Sequence, residues 1–179
     1  MALGSTVYNF DIDLADADRG VYETLTIRVA RHPSESEEFL VARLLAYCFE
    51  YEEGIEFSRG GLSDPDDPPI GVRDLTGVLK AWIDIGTPAA DRLHRASKST
   101  PRVAVYIHKD STQWLAGLKA ARIHKAADLE LYAIERSLVT ALAATLDRRM
   151  SFALAVSDRE VFISLADTTL HGRIDRLQL

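Results

Sequence analysis

An α/β chain (α+β in the broader sense), with a central mixed β-sheet flanked by helices and β-hairpins at both termini, is what this sequence predicts. Three observations carry that expectation. Both ends alternate apolar and polar residues with period two, the mark of half-buried antiparallel strands. The middle alternates apolar strand runs with helical stretches, which implies parallel units within the same sheet. Finally, an apolar strand over Val78–Ile85 carries an acid near its end, Asp84 between Ile83 and Ile85.

The opening segment places Tyr8, Phe10, Ile12 and Leu14 on one face and Asn9, Asp11 and Asp13 on the other. Turn residues between Asp16 and Gly20 follow, and Leu25, Ile27 and Val29 resume the alternation, so the start reads as a hairpin. Pro33 and Ser34 then announce a helix. Ser34 is the expected N-cap and Glu37, three residues on, completes a capping box. Leu40, Leu44, Tyr47 and Cys48 form its apolar stripe, and Gly54 ends it. A short strand over Ile55–Ser58 leads into a long loop from Gly60 to Ile70, rich in Gly, Asp and Pro, which runs directly to Asp74.

After the Asp84 strand, Pro88 suits the first turn of a helix over Pro88–Lys98, where its missing N–H costs little. The pattern continues with a strand over Arg102–His108, a helix over Ser111–Ile123, a strand over Leu129–Ile134 and a helix over Ser137–Arg148. Ser151–Val156 and Val161–Leu165 pair across residues 158–160 as a closing hairpin, with a short strand over Gly172–Leu177. The 179 residues are expected to form one domain.

Composition narrows the function classes. The chain is 47% hydrophobic and 27% charged, ordinary for a globular protein. It lacks a run of 18 apolar residues and a charged-then-apolar leader, so no membrane partner is expected and the cytoplasm is the expected compartment. The net charge of −6 gives no electrostatic footprint for nucleic acid. A phosphate contact would have to come from a local patch such as Arg92, His94, Arg95 and Lys98. The same residues also read as the polar face of a surface helix. Cys48, the only cysteine, lies on an apolar face and reads as a buried structural thiol. His32, His94, His108, His124 and His171 show no zinc spacing, Ser111 has no base spaced to activate it, and no Gly-rich phosphate loop is present. Gly60 and Gly61 read as loop flexibility, or a close backbone approach beside the site, in preference to a nucleotide cradle.

The acids are the candidate chemistry. Asp is depleted in strands and costly to bury, so Asp84 needs a partner. Two explanations fit. Carboxylates at Asp74 and Asp84, a helix acid and a cation at Arg92 would together suit Mg²⁺-dependent phosphodiester hydrolysis, because a hard cation takes oxygen ligands. Alternatively, Asp84 and Arg92 form a buried structural ion pair, Asp74 is a turn acid before Gly77, and Glu35 and Glu37 serve the helix N-terminus.

Four stretches carry a resemblance: ARHPSESEE at 30–38, RLLA at 43–46, FSRG at 57–60, and WIDIGTP at 82–88 with Arg92 and Ala96. Together with the opening MAL they resemble the YaeQ family of small bacterial proteins, across nearly the whole chain. The resemblance implies a fold similar to the PD-(D/E)XK restriction-endonuclease-like group. It also implies Glu38 as the helix acid, Asp74 as the first motif acid and Asp84 as the second, all three as ligands for Mg²⁺ or Mn²⁺. The motif lysine falls on Gly86, and Arg92 is its nominated substitute. Two functions follow from it: metal-dependent hydrolysis of nucleic acid, or a catalytically inactive nuclease-fold module that binds nucleic acid or a protein partner.

Overall fold

Alternating burial along β1 (Thr6–Asp16) and β2 (Val21–Arg31) is the simplest consequence of the sequence pattern. Phe10, Ile12, Leu14, Leu25, Ile27 and Val29 are all buried, while the polar residues between them face solvent. The computed structural model describes residues 4–59 and 64–179. The MAL opening and the Gly60–Gly61 pair therefore lie outside the described residues. The chain divides into two compact units, the boundaries falling after Leu44, before Ile134 and after Asp175. Among the described residues no helix is long and apolar enough to cross a membrane.

Unit 1 contains the chain up to Leu44 together with Ile134–Asp175. Its strands run in the order β2-β1-β8-β9-β10, with β8 (Arg149–Ser157), β9 (Glu160–Ser164) and β10 (Thr169–Leu177). β1 is antiparallel to β2 and parallel to β8, so this sheet is mixed as expected. β8 and β9 form the second hairpin, and β9 continues antiparallel into β10. The β8–β9 turn puts both Asp158 and Arg159 at positive φ, the backbone twist that a two-residue hairpin turn needs. Asp18 braces that turn: its two carboxylate oxygens accept from the backbone N–H groups of Asp158 (2.6 Å) and Arg159 (2.8 Å). Helix α4 (Arg136–Ala144) buries Leu138, Val139 and Leu142.

Helix α1 (Glu37–Phe49) begins later than its capping pattern suggested. Ser36 is the cap, its Oγ accepting from Phe39 N (3.1 Å), while Ser34 Oγ instead lies 2.6 Å from His32 Nδ1. Glu35 serves another purpose. It is 4% exposed and forms a two-pronged pair with buried Arg43, whose Nη2 also donates to Ala30 O (2.9 Å). The capping rule misassigned this stretch because two serines and three glutamates in a row, Ser34 to Glu38, satisfy it in more than one register.

Unit 2 contains Leu45–Ala133 and the last residues from Arg176. Its strands run β7-β6-β5-β4-β3: β3 (Ile55–Phe57), β4 (Ile70–Arg73), β5 (Leu79–Ile85), β6 (Arg102–Ile107) and β7 (Glu130–Ile134). β5, β6 and β7 are parallel, connected by α2 (Ala90–Ser99) and α3 (Thr112–Ala120); β4 and β3 add antiparallel. Trp82, Leu93, Ala96, Val103, Val105, Ile107, Leu118 and Leu131 form the core on the helix side of this sheet. Strand β4 corrects the expectation of a loop running straight to Asp74. Four residues after two prolines give too short a period-two signal, yet Ile70 is fully buried and pairs with Ile83. Pro88 lies just before α2 and accepts a hydrogen bond from Trp114 Nε1 (2.7 Å) through its carbonyl.

Candidate functional site

Strand alternation puts Trp82 and Asp84 on the same side of β5, facing α2. Asp84 is 3% exposed, and its Oδ2 accepts from Trp82 Nε1 (2.9 Å) and from Arg92 Nε (2.8 Å). Arg92 comes from the first turn of α2, close enough to turn back on the strand that precedes it. Its guanidinium carbon sits 5.0 Å from the Trp82 ring centroid, a cation–π contact. The two terminal nitrogens reach the loop before β4, donating to Pro65 O (3.1 Å) and Asp67 O (3.2 Å). One side chain thus binds strand, helix and loop together.

Asp67 extends this cluster. Its Oδ1 accepts from Arg73 Nη2 (3.4 Å) and its Oδ2 from Ser58 Oγ, while Arg73 Nε donates to Glu56 Oε1 (2.7 Å). Glu56, Asp67 and Asp84 alternate with Arg73 and Arg92, so every acid of the cluster has a guanidinium beside it. The sequence reading passed over Asp67 because it lay among several loop acids. Its signal is the β4–β5 register, which sets Ile83 opposite Ile70 and so brings the residues just before Ile70 alongside Asp84.

Asp74 is elsewhere. It heads the β4–β5 turn, where Oδ1 accepts from Thr76 N (2.9 Å), Thr76 Oγ1 (2.6 Å) and Val78 N (3.0 Å), and Oδ2 pairs with Lys80 Nζ (3.2 Å). The Thr76 hydroxyl above all, with the Val78 amide and Lys80, holds this carboxyl well below the usual carboxylate range. Asp74 N bonds to Val78 O across the turn, and Val78 precedes Asp84 by six residues, about 20 Å of extended chain. Glu38 belongs to unit 1, where it accepts from Thr140 Oγ1 (3.3 Å). Of the four nominated residues the structure joins Asp84 to Arg92. Among the described residues no group of three His, Cys, Asp or Glu side chains is gathered as a metal site.

A second polar cluster escaped the sequence reading. Arg102 on β6 is gripped by two carboxylates, Glu50 (2.6 and 3.0 Å) and Glu130 (2.6 and 3.2 Å). Tyr106 donates to Glu50 (2.6 Å) and Tyr132 to Glu130 (2.9 Å), and the two tyrosine rings stack at 5.0 Å. Burial works against the charge of Arg102, but the paired carboxylates outweigh it and hold the guanidinium firmly protonated. Burial, reinforced by Glu50, pushes the Tyr106 phenol well up. The visible signal is Arg102 and Tyr106 on one face of β6, with Tyr132 of β7 in register with Tyr106 and Glu130 of β7 opposite Ala104, which lies between the two.

The profile of the family described as YaeQ protein matches residues 1–173. The chain belongs to the YaeQ family. The YaeQ protein of Salmonella typhi is 28% identical over 179 residues, covering 99% of this chain and 98% of its own length. That of Escherichia coli K12 is 27% identical over 165 residues, covering 92% and 91%. Both carry the name "Uncharacterized protein YaeQ". Two crystal structures of YaeQ proteins superpose over nearly the full chain with a TM-score of 0.86 each. The Pseudomonas syringae protein is 32% identical, covering 98% of this chain and 97% of its own. The Xanthomonas axonopodis pv. citri protein is 29% identical, covering 97% and 98%.

Proposed function

We propose that this YaeQ-family chain is a catalytically inactive module on a nuclease-like scaffold, acting by binding a protein partner. The observation that carries the reading is Arg92 on Asp84. A guanidinium and an indole N–H already occupy one of the two Asp84 carboxylate oxygens and supply the positive charge that a cation would otherwise bring, and Arg92 is tied down at both ends. Two further observations support it. Asp74 is paired across the turn with Val78, about 20 Å of extended strand from Asp84, too far for two carboxylates to share an ion. The motif-lysine position, Gly86, has φ of +83°, a backbone region that disfavours any side chain there. The residues present therefore do not fit a two-acid Mg²⁺ or Mn²⁺ centre, and no hydrolytic step is routed through one.

A protein partner suits the surface better than phosphate backbone. Leu75 is 96% exposed and Val78 53% exposed at the tip of the β4–β5 turn, on a chain of net charge −6.

Calorimetric titration of Mn²⁺ and Mg²⁺ into the wild type and Asp84→Asn tests the reading. No saturable heat in either protein is expected. Saturable binding that vanishes in Asp84→Asn would overturn it and restore metal-dependent hydrolysis, with Asp67 as the acid to substitute next. Labelled DNA and RNA are expected to bind no more tightly than the ~10⁻⁴ M of weak non-specific association.

A further inference from the structure

On the solvent-facing side of the unit 1 sheet, Asn9 lies between two arginines. Its register partner on β2 is Arg28 and its register partner on β8 is Arg149. All three are exposed, on the face opposite Phe10, Ile27 and Met150. Neighbouring strands are spaced by about 4.8 Å, so the two arginines leave the backbone about 10 Å apart with one amide side chain between them.

Two adjoining surface cavities meet here. One, of about 520 Å³, is lined by Val7, Asn9, Asp147, Arg148 and Arg149. The other, of about 310 Å³, is lined by Asn9, Asp11, Thr26, Arg149, Met150 and Ser151. Asn9 and Arg149 line both. The acids of this face are engaged without the guanidiniums: Asp11 Oδ1 accepts from Thr26 Oγ1 (3.1 Å), Asp13 Oδ1 from Thr24 Oγ1 (3.2 Å), and Asp147 Oδ1 from the Arg148 backbone N–H (2.6 Å). Among the described residues the guanidiniums of Arg28, Arg148 and Arg149 take part in no ion pair, whereas those of Arg43, Arg73, Arg92 and Arg102 are all paired.

We infer that Asn9, Arg28, Arg148 and Arg149 form a binding site for the phosphate group of a small molecule. Among the described residues no carboxylate of this face occupies the guanidinium donors of Arg28, Arg148 and Arg149, which leaves them available to an incoming anion. Guanidinium forks match the oxygens of a phosphate, and the Asn9 amide adds a neutral donor between them. The two hollows are open to solvent and of the size of a compact ligand, which occupies a few hundred cubic ångströms. Asp11 and Asp147 line the same hollows as the arginines, and they disfavour the long polyanion of a nucleic-acid backbone more than a single phosphate group that meets guanidiniums alone. This site goes beyond the reading of Asp84 and shares no residue with it.

The test is titration of inorganic pyrophosphate and a mononucleotide into the whole chain, followed by calorimetry and by backbone amide shifts. Saturable binding is expected, with shifts at Asn9 and Arg149, and it weakens at least about tenfold in Arg149→Gln and in Arg28→Gln, the loss of one charge-assisted contact. Arg136→Gln, on α4 and away from both cavities, leaves it unchanged. Thermal melting shows that each variant is folded, and the two substitutions on different strands guard against a local defect in one. No saturable binding, or binding undiminished in both arginine variants, would sink the proposal. A single-stranded oligonucleotide binding more tightly than the mononucleotide, and depending on Arg149, would overturn the small-molecule assignment. Failure here leaves the Asp84 metal titration untouched, since the two experiments read different residues.

Discussion

Arg92 Nε lies 2.8 Å from Asp84 Oδ2, joining a side chain that is 4% exposed to one that is 20% exposed. The pair stands at the junction of β5, α2 and the loop before β4, so its two halves are not equivalent. Removing Arg92 strands a buried carboxylate and releases Pro65 and Asp67. Removing the charge of Asp84 leaves an arginine that still has two carbonyl acceptors and an aromatic face.

Arg92→Met is therefore expected to cost about 3–5 kcal/mol, and Asp84→Asn clearly less. A double-mutant cycle from urea unfolding midpoints measures the difference. Equal costs for the two single variants would mean that the loop contacts of Arg92 carry no weight.

The Arg102 cluster gives a parallel expectation with a different chemistry. Arg102→Met leaves Glu50, 4% exposed, next to Glu130 without a cation, at about 3–5 kcal/mol. Arg102→Lys restores the charge but not the two-sided fork, so it recovers only part of the loss. Full rescue by lysine would show that charge alone matters there.

Acid should loosen the β4–β5 turn. The Asp74 carboxyl, held down first by the Thr76 hydroxyl, binds its proton less readily in the folded chain than in the unfolded one. Its contribution is present above the unfolded value, about pH 3.9, and is lost as pH falls through the lower folded value. Melting temperatures of the wild type and Asp74→Ala, compared across the acid range, are expected to converge as pH drops. Curves that stay parallel would remove this carboxylate from the acid limb.

Cys48 is buried in α1, and burial pushes its thiol up to about 12. The thiolate is the reactive species, so native protein is expected to resist alkylation at neutral pH and to react fully on unfolding. Rapid native labelling would mean that α1 opens locally.

Gly86→Lys, which puts a lysine where the resemblance to the PD-(D/E)XK group would expect one, is expected to destabilise by about 1–2 kcal/mol, since φ is +83° at that position. Thermal unfolding of this variant beside Gly86→Asn, which tolerates the left-handed region better, reads the strain directly. A lysine variant as stable as the wild type would refute the backbone explanation for the missing lysine.

Local periodicity was enough to place most elements. Clean alternation marked β1 and β2, and alternating strand and helix runs marked the β5–α2–β6–α3–β7 sequence, because each of these segments is long enough to show its period. β4 was hidden by its four-residue length and preceding prolines, and the start of α1 by the repeated capping signals around Ser34 and Ser36. Burial of Asp84 and its pairing with Arg92 were also legible, because an acid inside an apolar strand needs a nearby cation, and one lay eight residues on, in the first turn of the next helix.

Long-range pairing lay beyond that reach. Asp67 was one loop acid among several until the β4–β5 register brought it to Arg92. Arg102 and Glu130 are distant in the chain and meet because β6 and β7 are parallel neighbours, while Glu50 comes to Arg102 from the end of α1. Arg28, Asn9 and Arg149 carry no shared motif; two strand registers put them in one row. The sequence by itself determined the periodic elements and the need of Asp84 for a partner, since those follow from contacts a few residues apart. Only the tertiary structure decided which charges meet, because strand register is a property of two segments at once and neither one encodes it alone.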